Sequence, residues 1–122
     1  MIQSILLVGI GGFLGSIFRY LISYYLEFNQ SSLFPFGTLT VNLAGSFLIG
    51  IIISAALADD LSQNTRLFLA TGFCGGFTTF SSFSFEFFSL LQNGYTGYAF
   101  LYLTASLVLG LFFVWLGFKL FH

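Results

Sequence analysis

The stretch Gly72-Phe-Cys-Gly-Gly-Phe-Thr-Thr-Phe-Ser-Ser-Phe-Ser-Phe-Glu86 interrupts sequence that is otherwise almost pure hydrocarbon. Lipid gives backbone N–H and C=O groups no partners. Chain that leaves the helix inside a bilayer must therefore be buried in protein or line a watery cavity. An interruption rich in glycine and hydroxyls, ringed by phenylalanines and closed by a carboxylate, reads as a pathway or an ion site.

That the surroundings are a bilayer follows from charge. Only 6% of the 122 residues are charged and 57% are hydrophobic, whereas soluble domains carry about 25% charged residues. The whole inventory is Arg19, Glu27, Asp59, Asp60, Arg66, Glu86 and Lys119. It contains no basic patch for nucleic acid. The lone Cys74 excludes an internal disulfide. His122 is the sole histidine, no span holds paired carboxylates and no metal-ligand spacing occurs, so the chain is not expected to be an enzyme. The N-terminus lacks a positive n-region and an Ala-x-Ala site, so its apolar run is kept as a span.

A hydrocarbon core about 30 Å thick needs roughly 20 apolar residues of helix. Four stretches qualify within one domain of residues 1–122, at about 2–25, 37–58, 66–91 and 97–121. The expected fold is thus an all-α membrane protein of four transmembrane helices, the third broken near residues 75–80. The first span ends at the polar stretch 27–32. The second follows Pro35 and stops at Asp59-Asp60, and a turn at 92–97 precedes the fourth. Four spans put both termini and the 59–65 loop on one side, with Arg66 and Lys119, against Arg19 on the other. Two against one is nearly no lysine and arginine bias, which points to insertion in both orientations and an antiparallel, dual-topology homodimer. Four helices are also few for enclosing a pathway. Gly9, Gly11, Gly12 and Gly15 form a small-residue face suited to close helix contact. Arg19, near the end of its span, either snorkels to the interface or forms a positive entrance.

Helical neighbours lie three and four residues apart, and three spans carry polar stripes on that spacing. They are Thr38, Asn42 and Ser46; Thr79, Ser82 and Glu86; and Tyr98, Tyr102 and Ser106, extended by Gly110. Phe80, Phe83 and Phe87 make an aromatic stripe beside the second of these. Such polar faces are expected to meet around something polar. Glu86 stands out, because an ionisable group inside a span is costly and functional by default. Phenylalanine edges, Asn N–H groups and hydroxyls can solvate an anion without fixed positive charge, weakly enough for rapid release. Carbonyls freed along 75–78 favour a cation. The residues alone leave both open.

Gly11-Gly-Phe-Leu-Gly-Ser-Ile-Phe-Arg-Tyr20, Gly37-Thr-Leu-Thr-Val-Asn-Leu-Ala-Gly-Ser-Phe47 and the 72–86 segment, in that order, resemble the Fluc (CrcB) family of bacterial fluoride channels. The resemblance covers essentially the whole chain. It implies an antiparallel homodimer with two pores, passively exporting cytoplasmic fluoride and relieving its toxicity, in the bacterial cytoplasmic membrane with lipid as its surroundings. It matches the family's phenylalanine pair to Phe80 and Phe83, its pore asparagine to Asn42 and its polar track to Tyr102 and Ser106, with Ser81, Ser82 and Glu86 nearby. It assigns Arg19 to a vestibule. It also implies a structural sodium ion at the dimer interface, held by the backbone carbonyls of Gly75 and Thr78. The competing reading within transport is a small dual-topology, proton-coupled multidrug exporter using Glu86, and outside transport an inert scaffold subunit. Purified protein in liposomes separates the three.

Overall fold

A computed structural model describes residues 1–29 and 33–120. Its regular elements are all helical: α1 (Ile2–Asn29), α2 (Phe36–Leu57), α3 (Gln63–Arg66), a π-helical segment (Leu67–Cys74), α4 (Gly75–Phe77), α5 (Phe80–Gln92) and α6 (Thr96–Lys119). By length and apolar character α1, α2 and α6 can each cross a membrane. The third expected span is the run from α3 to α5, and no single helix in it is long enough. The chain is a multi-pass membrane protein.

The boundaries follow from local chemistry. No glycine or proline stands between Gly15 and Pro35, so α1 runs past Tyr25 to Asn29 and Glu27 is helical rather than in the expected loop. The expected polar residues 30–32 lie outside the described residues. Pro35, which has no N–H to lose, stands immediately before α2. At the far end of α2, Asp59 takes the left-handed conformation (φ 62°), which Asp tolerates better than most residues. The N–H groups of Asp59 and Asp60 return to the carbonyls of Ala56 (3.1 Å) and Ala55 (2.9 Å), the bonding pattern that closes many helices. Gly94 (φ 84°) ends α5 in the same way. Thus α2 stops at the expected acidic pair, with backbone geometry acting together with charge.

Two pairs of helices cross on glycine. In one, α1 packs against the π-helical segment and α4; in the other, α2 packs against α6. A methyl group on Gly11 or Gly15 would fall on the carbonyl oxygen of Phe68 or Phe73, and one on Gly76 would fall on the backbone of Gly12. Gly50 and Gly117 face the backbones of Val114 and Phe47 in the same manner. The small-residue face of α1 therefore makes its close contact inside the chain, although a side chain at Gly9 would meet only open space. Large apolar side chains such as Phe13, Leu111 and Trp115 point outward, as lipid requires.

Candidate functional site

The break in the third span lies at two residues. Thr78 (φ −91°, ψ 158°) and Thr79 (φ −150°, ψ 119°) are extended, while Gly75 is helical (φ −61°, ψ −38°). The glycine pair itself stays helical in conformation and Gly76 serves close packing on α1, but the carbonyls of this last turn lie against the break and lose the donors that a continuous helix would give them. Thr78 closes α4, its N–H (3.0 Å) and Oγ1 (2.9 Å) both donating to the carbonyl of Cys74. Thr79 opens α5 as its N-cap, its Oγ1 accepting the Ser82 N–H at 3.1 Å and lying 3.2 Å from Ser81 Oγ.

Backbone groups orphaned at a helix end need partners, and here side chains from two other helices supply them. Asn42 on α2 clamps the Thr79 peptide groups from both directions. Its Oδ1 accepts the Thr79 N–H (2.8 Å) and its Nδ2 donates to the Thr79 carbonyl (3.2 Å). Arg19 on α1 turns toward the third span, its Nε donating to the Gly76 carbonyl at 2.9 Å. The carbonyls from Gly75 onward lose their helical donors at the break, and for two of them the diverted donor can be followed. The Thr79 N–H that would serve Gly75 goes to Asn42, and the Ser82 N–H that would serve Thr78 goes to the Thr79 side chain.

Beside the break opens a cleft of about 470 Å³, lined among others by Asn42 and Ser46 from α2, Thr79, Phe80 and Phe83 from the third span, and Ser106 from α6. Gly75 and Thr78 also reach its wall. The wall carries no charged side chain. Ser106 Oγ is buried and has no hydrogen-bond partner. Phe80 is 79% exposed, and its ring lies against that of Phe83, centroids 6.0 Å apart. The Phe83 ring continues to Phe87 (6.4 Å) and to Tyr102 (5.0 Å).

Past Phe83 lies a second polar group. Tyr102, fully buried, donates to Glu86 Oε1 at 3.2 Å, and buried Thr38 lies near the same carboxylate. The three polar stripes do converge, but in two places. Asn42, Ser46, Thr79 and Ser106 meet at the cleft, and Thr38, Glu86 and Tyr102 meet behind Phe83. Of the residues expected at a site, Asn42, Phe80, Phe83, Ser106, Gly75 and Thr78 share the cleft wall. Ser81, Ser82, Tyr102, Glu86 and Arg19 do not line it, and Tyr98 stands apart, half exposed. Sequence reasoning missed the Asn42 clamp, the Arg19 bond and the π-helical segment. Only the Thr79 cap had a local signal, a threonine directly before the Phe80–Gln92 run.

The chain matches the family described as CrcB-like protein, Camphor Resistance (CrcB), over residues 6–118. A Chlorobium chlorochromatii (strain CaD3) protein named fluoride-specific ion channel FluC is 56% identical over 114 residues, spanning 93% of this chain and 88% of its own length. A protein of the same name from Thermus thermophilus is 49% identical over 118 residues, spanning 97% and 94%.

Proposed function

This chain belongs to the CrcB-like family, and on that premise we propose that it is a fluoride channel rather than an enzyme. The observation that carries the reading is the uncharged cleft wall, on which the buried Ser106 hydroxyl has a hydrogen bond left to give. A hydroxyl, phenyl edges and the amide of Asn42 offer positive dipoles to an anion. Without a fixed cation they hold it weakly enough to let it go. The exporter reading needs Glu86 free to take up a bulky cation, whereas the Tyr102 hydroxyl already donates to its carboxylate.

In the fuller form of the proposal, two copies assemble antiparallel in the bacterial cytoplasmic membrane, with two pores through which cytoplasmic fluoride leaves passively. Support comes from Phe80, which one chain leaves largely uncovered at the cleft, and from the weak charge bias of the loops. A structural sodium ion fits the same picture. The helical donors of the Gly75 and Thr78 carbonyls have been diverted to side chains, Gly75 is exposed, and main-chain oxygens are ordinary ligands for a cation at broken membrane helices. When bound, the ion supplies a fixed positive charge for those oxygens.

Fluoride and chloride efflux from liposomes holding only this protein tests the reading. Fluoride efflux far above chloride is expected, and vesicles that release neither would overturn it. In the same assay Phe80→Ile or Phe83→Ile should cut fluoride flux by about tenfold, the effect of losing about 1.4 kcal/mol of ion stabilisation. Isoleucine keeps the bulk and loses the ring's quadrupole. Unchanged flux in both, with normal assembly, makes the rings packing alone. Two or three lysines added at either end should fix the orientation of insertion. Each fixed form alone should be inactive, and co-expression of the opposite pair should restore efflux.

A further inference from the structure

We propose that Arg19 is a positioning residue that selects which carbonyls of the broken third span stay free. Two adjoining couples of carbonyls flank Phe77, whose own helical donor also lies beyond the break. Gly75 loses its helical donor while Gly76, next to it, gains Arg19; Thr78 loses its donor while Thr79, next to it, gains Asn42. Two side chains from two different helices, Arg19 and Asn42, thus each tie down the carbonyl that follows a freed one. Successive helical carbonyls point in nearly the same direction along the axis. Anchoring Gly76 to α1 therefore fixes the tilt of the Gly75 peptide and the course of the chain into Thr78. The glycine contact between Gly76 and Gly12 brings α1 close enough for the Nε to reach.

The atom that donates is decisive. The contact uses Nε, the fourth atom beyond Cα, and not the terminal amino groups that carry most interactions of guanidinium with anions. No carboxylate among the described residues pairs with Arg19. Glutamine carries an N–H donor at the same position along its side chain with no charge. Lysine carries a methylene there and keeps the charge. If Arg19 acted by charge, lysine would replace it; acting by position, glutamine replaces it and lysine does not.

The role in selecting carbonyls for an ion rests on the sodium reading above, so the test has one arm that needs no ion. Thr78–Thr79 is the single Thr-Thr pair in the sequence. Protein labelled with 13C-carbonyl and 15N threonine therefore gives one correlated peptide signal from the break itself, read by solid-state NMR in lipid. Arg19→Gln is expected to leave this signal in place, and Arg19→Lys to displace or split it. A signal unmoved in Arg19→Lys, or displaced equally by both variants, overturns the proposal. The second arm compares thermal unfolding in sodium with unfolding in a large organic cation. Wild type and Arg19→Gln should be stabilised by sodium and Arg19→Lys should lose that stabilisation. Absence of any sodium effect in the wild type removes the ion from the account and leaves the NMR arm to decide on the positioning role.

Discussion

Asn42→Asp should lower fluoride efflux by about an order of magnitude or more, although it exchanges only an amino group for an oxygen. The Asn42 side chain accepts the Thr79 N–H and donates to the Thr79 carbonyl. Aspartate preserves the first bond and turns the second into two oxygens facing each other. An unsatisfied buried carbonyl costs about 1–3 kcal/mol, and about 1.4 kcal/mol is tenfold in a rate. The disturbance would not stay at one peptide, because Thr79 also caps α5 and so sets the direction in which Phe80 and Phe83 leave the break. Efflux and thermal stability measured on the same preparation check this. Wild-type values for both would show that the clamp does not hold the break.

The second large effect separates two neighbouring glycines. Gly76→Ala is expected to remove most folded protein from the membrane. Its new methyl lands on the backbone of Gly12, where no flexible side chain can yield, and forcing even one methyl into a packed site costs about 1–3 kcal/mol. It would also push the Gly76 carbonyl off Arg19. Gly75→Ala meets nothing nearer than the Ala70 carbonyl at 4.0 Å, so the single chain should fold. Gly75→Val should likewise leave a folded chain, yet lose flux, because its side chain would intrude on the face proposed for the second copy and the ion. Yield and size-exclusion profile report the first variant, and efflux reports the last. Equal yields for Gly76→Ala and Gly75→Ala would contradict the packing described for α1.

How much of this was legible in the sequence depends on range. The spans could be read because charge and its absence act locally, residue by residue, and α2 and α6 lie within a residue or two of where hydropathy put them. The stripes could be read because helical spacing alone aligns Asn42 with Ser46 and Tyr102 with Ser106. What each stripe residue does could not. Asn42 spends two of its hydrogen bonds on backbone 37 residues away, and Arg19 spends one on backbone 57 residues away. No local rule carries that distance. The glycine pair at 75–76 drew attention to the right region for the wrong reason, since glycine signals both unwinding and close approach, and only the neighbouring helix decides between them.

The glycine crossings also have a mechanical meaning. Where backbone rests on backbone there is no side-chain layer to compress, so α1 with α4, and α2 with α6, behave as two stiff plates. The cleft takes walls from both, Asn42, Ser46 and Ser106 from one and Gly75 from the other, with Thr78 and Thr79 of the break and Phe80 and Phe83 of α5 closing it. It lies along the seam between them, which individual side chains bridge. One of these is the Thr78 methyl, seated over Gly45 where any side chain would collide with it. Relative sliding of the plates would be felt there, and a single methyl group at that seat acts as a shim in the gap.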